Sequence, residues 1–253
     1  MTDQVTIAAA TAADDANAEA LSTRLALPLG KLSEVAGLVL VARDGSLELA
    51  DTNAPNTLPL KVDFDAGRQR HRRLHGGGEL LRRVLGKPDK VNLIIDAGAG
   101  LGADSFVMAT LGFRVLAVER SPVIHALLED GLARAERVPD LAQIVARIEL
   151  HQGDALEFLS RLIESKRPDV IHLDPMYPER RKSALGRLEL RLVRALVGDD
   201  EDAAELLAVA RQQARRRVLV KRPKKAVILG GQPGYTVEGK TVRYDVYPCQ
   251  SDN

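Results

Sequence analysis

The chain predicts an α/β fold: a doubly wound, mostly parallel sheet that ends in an antiparallel hairpin and carries a small N-terminal subdomain. Three observations carry that expectation. From Val91 onward, short apolar runs alternate with stretches of helical periodicity, the pattern of βα units whose strands lie parallel. Gly98, Gly100 and Gly102 directly follow the first of those runs, where a sharp strand-to-helix turn is needed. The chain closes on Tyr235 to Tyr247, two β-rich runs on either side of Gly239, which read as a hairpin.

Residues 1–20 are Ala/Thr-rich with Asp3, Asp14 and Asp15, and read as a flexible tail, poorly ordered or weakly helical. Residues 21–75 read as a small N-terminal subdomain with a basic segment. In it, Leu38 to Val41 and Ser46 to Leu49 are strand-like, with Asp44-Gly45 between them as a hairpin turn. Val62-Asp63-Phe64-Asp65 then leads into Arg68, Arg70, His71, Arg72, Arg73 and His75, and on to Gly76-Gly77-Gly78. Residues 76–253 form the main domain. Its expected strands are Val91 to Ile95, Arg114 to Val118, Ile148 to Gln152, Asp169 to Leu173 and Arg217 to Val220. Its expected helices are Ala103 to Leu111, Leu156 to Ile163, Leu185 to Val197 and Ala203 to Arg216. A further helix opens at Ser121-Pro122, with Ser as N-cap and Pro at the first position. In sheets of this kind ligands bind beyond the carboxyl ends of the strands, and the distinctive residues fall there.

Composition narrows the class. The chain has 253 residues, 45% of them hydrophobic, with no Trp and a single cysteine, Cys249. One cysteine forms neither an internal disulfide nor a thiolate metal site, which agrees with a reducing cytoplasm. No apolar run reaches the roughly 18 residues of a membrane span, and the start lacks the basic and apolar blocks of a signal peptide. A soluble cytoplasmic protein with no membrane partner is expected. Net charge is only +1, but it is unevenly spread. Besides the cluster at 68–75, Arg180, Arg181 and Lys182 form a second. Arg215, Arg216, Arg217, Lys221, Arg222, Lys224 and Lys225 form a third. Arg72, Arg73, Arg181, Lys182 and Arg222 are the expected phosphate contacts if the clusters converge into one positive track; otherwise they are solvated surface.

The string Asp96-Ala97-Gly98-Ala99-Gly100-Leu101-Gly102 lets a ligand approach the backbone closely. Its spacing differs from the dinucleotide pattern, and Asp96 and Asp104 bracket it. Two carboxylates would repel a pyrophosphate but suit a ligand with a cationic ammonium and sulfonium, which is S-adenosylmethionine. Glu119 ends the second strand about twenty residues on, where an acid can accept hydrogen bonds from ribose hydroxyls. Arg120 is adjacent and placed to cover the adenine. Gly153-Asp154 follows the third strand and is placed to meet the adenine edge, though Asp154 is equally an N-cap. No metal site is assigned. His172 lies within an apolar strand and reads as a core or supporting residue, and His151 is ambiguous.

Asp174-Pro175-Met176-Tyr177-Pro178 follows the apolar run Val170 to Leu173 and is similar to the D-P-P-Y type motif of amino-group methyltransferases. An exocyclic base amine has its lone pair delocalised into the ring. A carboxylate such as Asp174 accepts the amine hydrogens and turns the lone pair outward, proline fixes the turn, and Tyr177 stacks on an unstacked base. Asp174 has no basic neighbour along the sequence until Arg180, so its carboxylate is expected to be available to the amine. The motif does not choose the base, so adenine N6 stays open. So do a non-catalytic RNA-binding assembly factor on the same fold and, more remotely, an NAD-dependent oxidoreductase.

Over roughly Val62 to Tyr247 the chain resembles the bacterial small-subunit ribosomal RNA guanine-N2 methyltransferase J family. The resemblance rests on Val62-Asp63-Phe64 with His71-Arg72-Arg73 and Gly76-Gly77-Gly78, and on the glycine string through Asp104. It rests also on Glu119-Arg120 with Pro122-Val123, on Leu173 to Pro178 with Lys182-Ser183-Ala184, and on Val220-Lys221-Arg222-Pro223. It implies a Rossmann-like class I methyltransferase domain over 76–253 with S-adenosylmethionine as cofactor. The implied partner is 16S rRNA or the small ribosomal subunit, methylated at the N2 amine of a guanosine near the 3′ end of that RNA. By position, the implied cofactor contacts are Ala103 and Asp104, Glu119 and Arg120, Gly153 and Asp154, and Asp174. The match is loosest at Gly153-Asp154, where relatives can carry small hydroxyl residues.

Overall fold

The computed structural model describes residues 5–66, 78–175, 192–193, 196–197 and 202–249. Among these, the strands form two sheets. The smaller one holds β1 (Val5–Ala9), β2 (Leu38–Arg43) and β3 (Ser46–Asp51). β1 runs parallel to β2, with Val5 opposite Leu38, and β2 and β3 are antiparallel with Arg43 opposite Ser46. The turn between them has positive φ at both Asp44 (48°) and Gly45 (69°), the geometry that matches the twist of a tight hairpin.

The reading of residues 1–20 as a tail is corrected. Val5 and Ile7 are wholly buried in β1, and helix α1 (Asp15–Leu25) follows. The Asp14 carboxylate accepts the Thr11 hydroxyl at 2.8 Å and the Asp44 amide at 2.9 Å, tying the helix start to the hairpin turn. β1 was invisible locally because its partner lies some thirty residues away and joins in parallel, which needs no turn signal.

The larger sheet has the order β6-β5-β4-β7-β8-β10-β9. Its members are β4 (Ile94–Ala97), β5 (Val115–Glu119), β6 (Ile148–Gln152), β7 (Val170–Leu173), β8 (Arg217–Pro223), β9 (Tyr235–Glu238) and β10 (Val242–Pro248). The first five are parallel, and β10 is antiparallel to both β8 and β9. The helices are α2 (Glu79–Leu85), α3 (Ala103–Thr110), α4 (Pro122–Glu136), α5 (Pro139–Val145), α6 (Ala155–Ser160) and α7 (Ala203–Gln213). β4 begins three residues later than the apolar run suggests, because the Val91 amide is held in a local turn by the Pro88 carbonyl and the Asn92 amide donates to the Asp169 carboxylate just before β7. Asp96 is therefore a strand residue. The chain winds outward from β4 to β6 and then returns to β7 and β8, so the topological switch lies between β4 and β7.

Side chains alternate across the sheet. Ile94, Val170, Leu219 and Tyr244 pack with Leu81 and Val84 of α2 and Val107 and Met108 of α3. Ile95, Ile171, Val218 and Val220 pack with Leu159 of α6 and Leu207 and Ala210 of α7. A third cluster joins the small sheet to α4 and α5 through Ile7, Leu40, Leu49, Ile124, Leu127 and Leu141. Among the described residues no helix is long and apolar enough to cross a membrane.

Val62 and Phe64 fasten the two sheets together. Phe64 stacks on Phe106 of α3 with ring centroids 4.5 Å apart. Val62 lies on Gly131 of α4, and Arg134, held by Asp130 at 2.9 Å, donates to the Val62 carbonyl. A Cβ at Gly131 would come within 2.4 Å of Val62 Cγ1. Gly131→Ala should therefore destabilise the protein by about 1–3 kcal/mol from overpacking, although alanine is the better helix former by about 1 kcal/mol. Denaturant unfolding is the check, and a variant as stable as the parent would show that this contact yields freely.

Candidate active site

At the carboxyl ends of β4, β5, β6, β7 and β8 lies a cleft of ≈ 410 Å³. The structure brings together around it all ten residues expected at a cofactor: Asp96, Gly98, Gly100, Ala103, Asp104, Glu119, Arg120, Gly153, Asp154 and Asp174. Tyr177, Arg72, Arg73, Arg181 and Lys182 lie outside the described residues, as does most of the helix expected over Leu185 to Val197.

The glycine loop forms one wall. Gly98 and Gly100 have φ of 91° and 56°, a left-handed backbone that a side chain would strain. No atom lies within 4 Å of where their Cβ atoms would be, so the loop faces open space. Glu119 braces it: Oε2 accepts the Gly100 amide at 2.8 Å and Oε1 the Ser121 amide at 2.8 Å. Glu119 thus also steadies the start of α4, whose N-cap is Ser121. Asp154 N-caps α6, accepting the Glu157 amide at 3.0 Å, while lining the cleft as well. Arg120 reaches across the rim toward Asp202, 3.6 Å away, and Leu156, Val193 and Leu206 supply apolar surface.

Beneath the loop the acids are already engaged. Asp96 Oδ1 lies 2.7 Å from His172 Nδ1, and Asp96 Oδ2 accepts the Ser105 hydroxyl. His172 is fully buried, as its strand suggests. Burial pushes its pKa down, but the charge and hydrogen bond of Asp96, with Asp104 and Asp174 further off, outweigh that and leave it raised. Lys221 Nζ donates to Asp104 Oδ2 at 2.6 Å and to Asp174 Oδ2 at 2.7 Å. Burial disfavours the ammonium, but the two carboxylates more than compensate and raise its pKa. Desolvation raises the pKa of Asp174 with Lys221 pulling the other way, and its side chain keeps 42% of its surface open.

Three expectations change. Asp174 is not without a basic partner, because Lys221 holds it. Asp96 and Asp104 are not a bare pair awaiting a cationic ligand; protein groups meet both. Arg222 is not a phosphate contact. It is 2% exposed and donates to the Val227 carbonyl, and burial with Arg243 nearby draws its pKa down to about 10. Successive strand residues face opposite ways, so Lys221 reaches the cleft while Arg222 turns away. Nor is the third basic cluster one patch. Arg215, Arg216 and Arg217 bond to the carbonyls of Glu164, Lys90 and Val84 at the amino end of β8, roughly 20 Å of strand from its carboxyl end. Among the described residues, the polar groups that sequence reasoning missed include Lys221 and Asp202 at the cleft and Ser105 beneath it on Asp96. Lys221 had a signal, its place at a strand's carboxyl end, but was absorbed into a run of basic residues.

The residues present fit S-adenosylmethionine: an open glycine cradle, a braced carboxylate beside it, apolar walls and an acidic floor. The chain matches the family model described as "Putative SAM-dependent methyltransferase" over residues 20–249. It is 50% identical over 234 residues to the ribosomal RNA small subunit methyltransferase J of Thioalkalivibrio sulfidiphilus, covering 91% of this chain and 92% of that one. To the protein of the same name from Pseudomonas aeruginosa it is 48% identical over 229 residues, covering 89% and 87%. The crystal structure of a SAM-dependent methyltransferase from Neisseria gonorrhoeae has the same fold, with a TM-score of 0.76 at 34% identity over 98% of this chain and 97% of that one. On these matches, and with a fold and cleft to fit them, the chain belongs to the ribosomal RNA small subunit methyltransferase J family of SAM-dependent methyltransferases.

Proposed function

We propose that this protein methylates the exocyclic N2 amine of a guanosine in 16S small-subunit rRNA, in the cytoplasm, with Asp174 and Tyr177 at the base and the glycine-loop cleft holding the cofactor. One observation carries the reading. Asp174, which heads the Asp-Pro-Met-Tyr-Pro string, shares a single cleft with the glycine loop and Glu119. When bound there, S-adenosylmethionine supplies an electrophilic methyl group. Asp174 accepts an amine N–H and turns the nitrogen lone pair toward that methyl. It also takes the proton the nitrogen sheds as the new N–C bond forms and the methyl's bond to sulfur breaks, the cofactor leaving as a neutral thioether. Pro175 stiffens the segment that presents it. Glu119 receives the ribose hydroxyls while holding the loop in shape.

The basic residues Arg72, Arg73, Arg181 and Lys182 are the proposed phosphate contacts. For Arg72 and Arg73 the support is that the described residues on either side of the 67–77 segment both meet α3, the helix that carries Asp104 to the cleft. Phe64 stacks on Phe106, and Gly78 packs so closely on Val107 that a Cβ would come within 2.9 Å.

Asp174→Asn keeps the shape but turns an acceptor into a donor facing the amine. Single-turnover methyl transfer to the rRNA substrate should fall by about 10²–10⁴-fold, with cofactor affinity much less affected. Near-normal turnover would remove Asp174 from the chemistry. In Glu119→Gln, one oxygen that accepts a backbone amide is replaced by a donor. Calorimetry should show S-adenosylmethionine binding weakened by about 1–3 kcal/mol, and an unchanged affinity in a folded variant would take Glu119 out of the cofactor site. Binding to rRNA should weaken with salt, and alanine at each of the four basic residues should flatten the log–log slope by about 0.7–0.9. A slope that none of them alters would leave them as solvated surface.

A further inference from the structure

We propose that Lys221 is a positioning residue for methyl transfer, its ammonium fixing the Asp174 carboxylate in the cleft and linking it to Asp104 on the glycine-loop side. The inference rests on the reading of Asp174 as the acceptor of the amine hydrogens.

The geometry is set by sheet register. Leu173 of β7 lies opposite Val220 of β8, so Asp174 and Lys221 are the next pair outward on parallel neighbours. Strand alternation puts both on the face covered by α3, where Asp104 stands in the first turn. Lys221 meets Asp104 Oδ2 at 2.6 Å and Asp174 Oδ2 at 2.7 Å, with side-chain exposures of 23%, 7% and 42% respectively. An ammonium has three donors, and two are committed to these acids. That leaves Lys221 poorly placed to act chiefly as an RNA phosphate contact, the role its neighbours in sequence suggest. Its bond to Asp174 Oδ2 restrains the carboxylate's rotation and leaves the amine to be met by the other oxygen.

The charge matters as much as the bond. Among the described residues, the charged or titratable groups facing Asp174 are Lys221 from β8, Asp104 from α3 and His172 from β7. Without the lysine, Asp104 and Asp174 would be two carboxylates in one partly desolvated site, and each would favour protonation of the other. A protonated Asp174 cannot take the amine's proton. Removing Lys221 should therefore raise the pKa of Asp174, and activity should fail at a higher pH on the acid side.

The test is single-turnover methyl transfer by the full chain to its rRNA substrate across about pH 5 to 9, at saturating S-adenosylmethionine, beside calorimetric titration of the cofactor. Lys221→Met and Lys221→Gln should lose about tenfold or more in rate at neutral pH. Their acid limb should move up by about one pH unit, the low end for loss of a close opposite charge. Cofactor affinity should change by less than about threefold, and Lys221→Arg, which keeps the charge, should recover most of the rate and the original limb. An unmoved limb and rate in the neutral variants would overturn the proposal, as would a loss confined to cofactor affinity. Failure of both neutral variants to fold while Lys221→Arg is folded and active would also overturn it, by making the residue structural. Asp174→Asn run in parallel separates the two levels. If that variant stays active, the Asp174 reading itself falls. If it is inactive while the neutral Lys221 variants behave as the parent does, only the Lys221 proposal falls.

Discussion

Asp96 occupies the point where the carboxyl end of β4 meets its neighbour β7 and the first turn of α3. One of its oxygens faces His172 Nδ1 at 2.7 Å and the other accepts the Ser105 hydroxyl, so a single buried carboxylate joins three elements. Such a group is stable only while it stays paired; removing one partner of a buried charge pair typically costs about 3–5 kcal/mol. The glycine loop begins two residues later and inherits its origin from this anchor. The cleft depends on that fixed point. The loop has left-handed backbone at Gly98, Gly100 and Gly102, and from that origin it is tied sideways to β5 through the Val118 carbonyl and the Glu119 carboxylate.

From there, strand parity decides which side chains meet. Asp96 pairs in register with His172, and Asp174 and Lys221 follow on the same face. These four residues, with Asp104 and Ser105 from α3, make a continuous polar layer between the sheet and the helix. His172 Nε2 stands 3.9 Å from Asp104 Oδ2, beyond hydrogen-bond distance, so the histidine bonds the acid before the loop and only lies near the one after it. Within this layer the Lys221 ammonium stands between the Asp104 and Asp174 carboxylates, and His172 is hydrogen-bonded to Asp96, which is how so many ionisable groups share a site that is mostly closed to water.

What the sequence makes legible is local. The strand-to-helix turns, the glycines with positive φ and the acids at strand ends are each written within a few residues, and the ten expected cofactor residues do line one cleft. What it hides is set by pairing over distance. β1 has no nearby partner to announce it. Lys221 and Asp174 are 47 residues apart and meet only because β7 and β8 are adjacent in a particular register. Arg222 shows the same limit from the other side, since composition places it in a basic run while one step along a strand turns it into the protein. The strand Val91 to Ile95 is right in kind and displaced in position, because an apolar run does not say where hydrogen bonding to neighbours starts.

The segment Val62-Asp63-Phe64 illustrates how a motif next to basic residues can serve the site without facing a ligand. Val62 and Phe64 are buried. Phe64 stacks on Phe106, two residues beyond Asp104 on α3, while Val62 closes over Gly131 of α4, a position with no room for a Cβ. α3 is therefore held from three directions: by the sheet through Val107 and Met108, by Asp96 through Ser105, and by the N-terminal unit through Phe106. A helix so constrained presents Asp104 at one place, and Asp104 shares its lysine with Asp174. Packing of the N-terminal sheet thus bears on the geometry of the acid at the far wall of the cleft, through contacts that are individually ordinary. The small sheet is part of the structure that fixes the site and not an appendage to it.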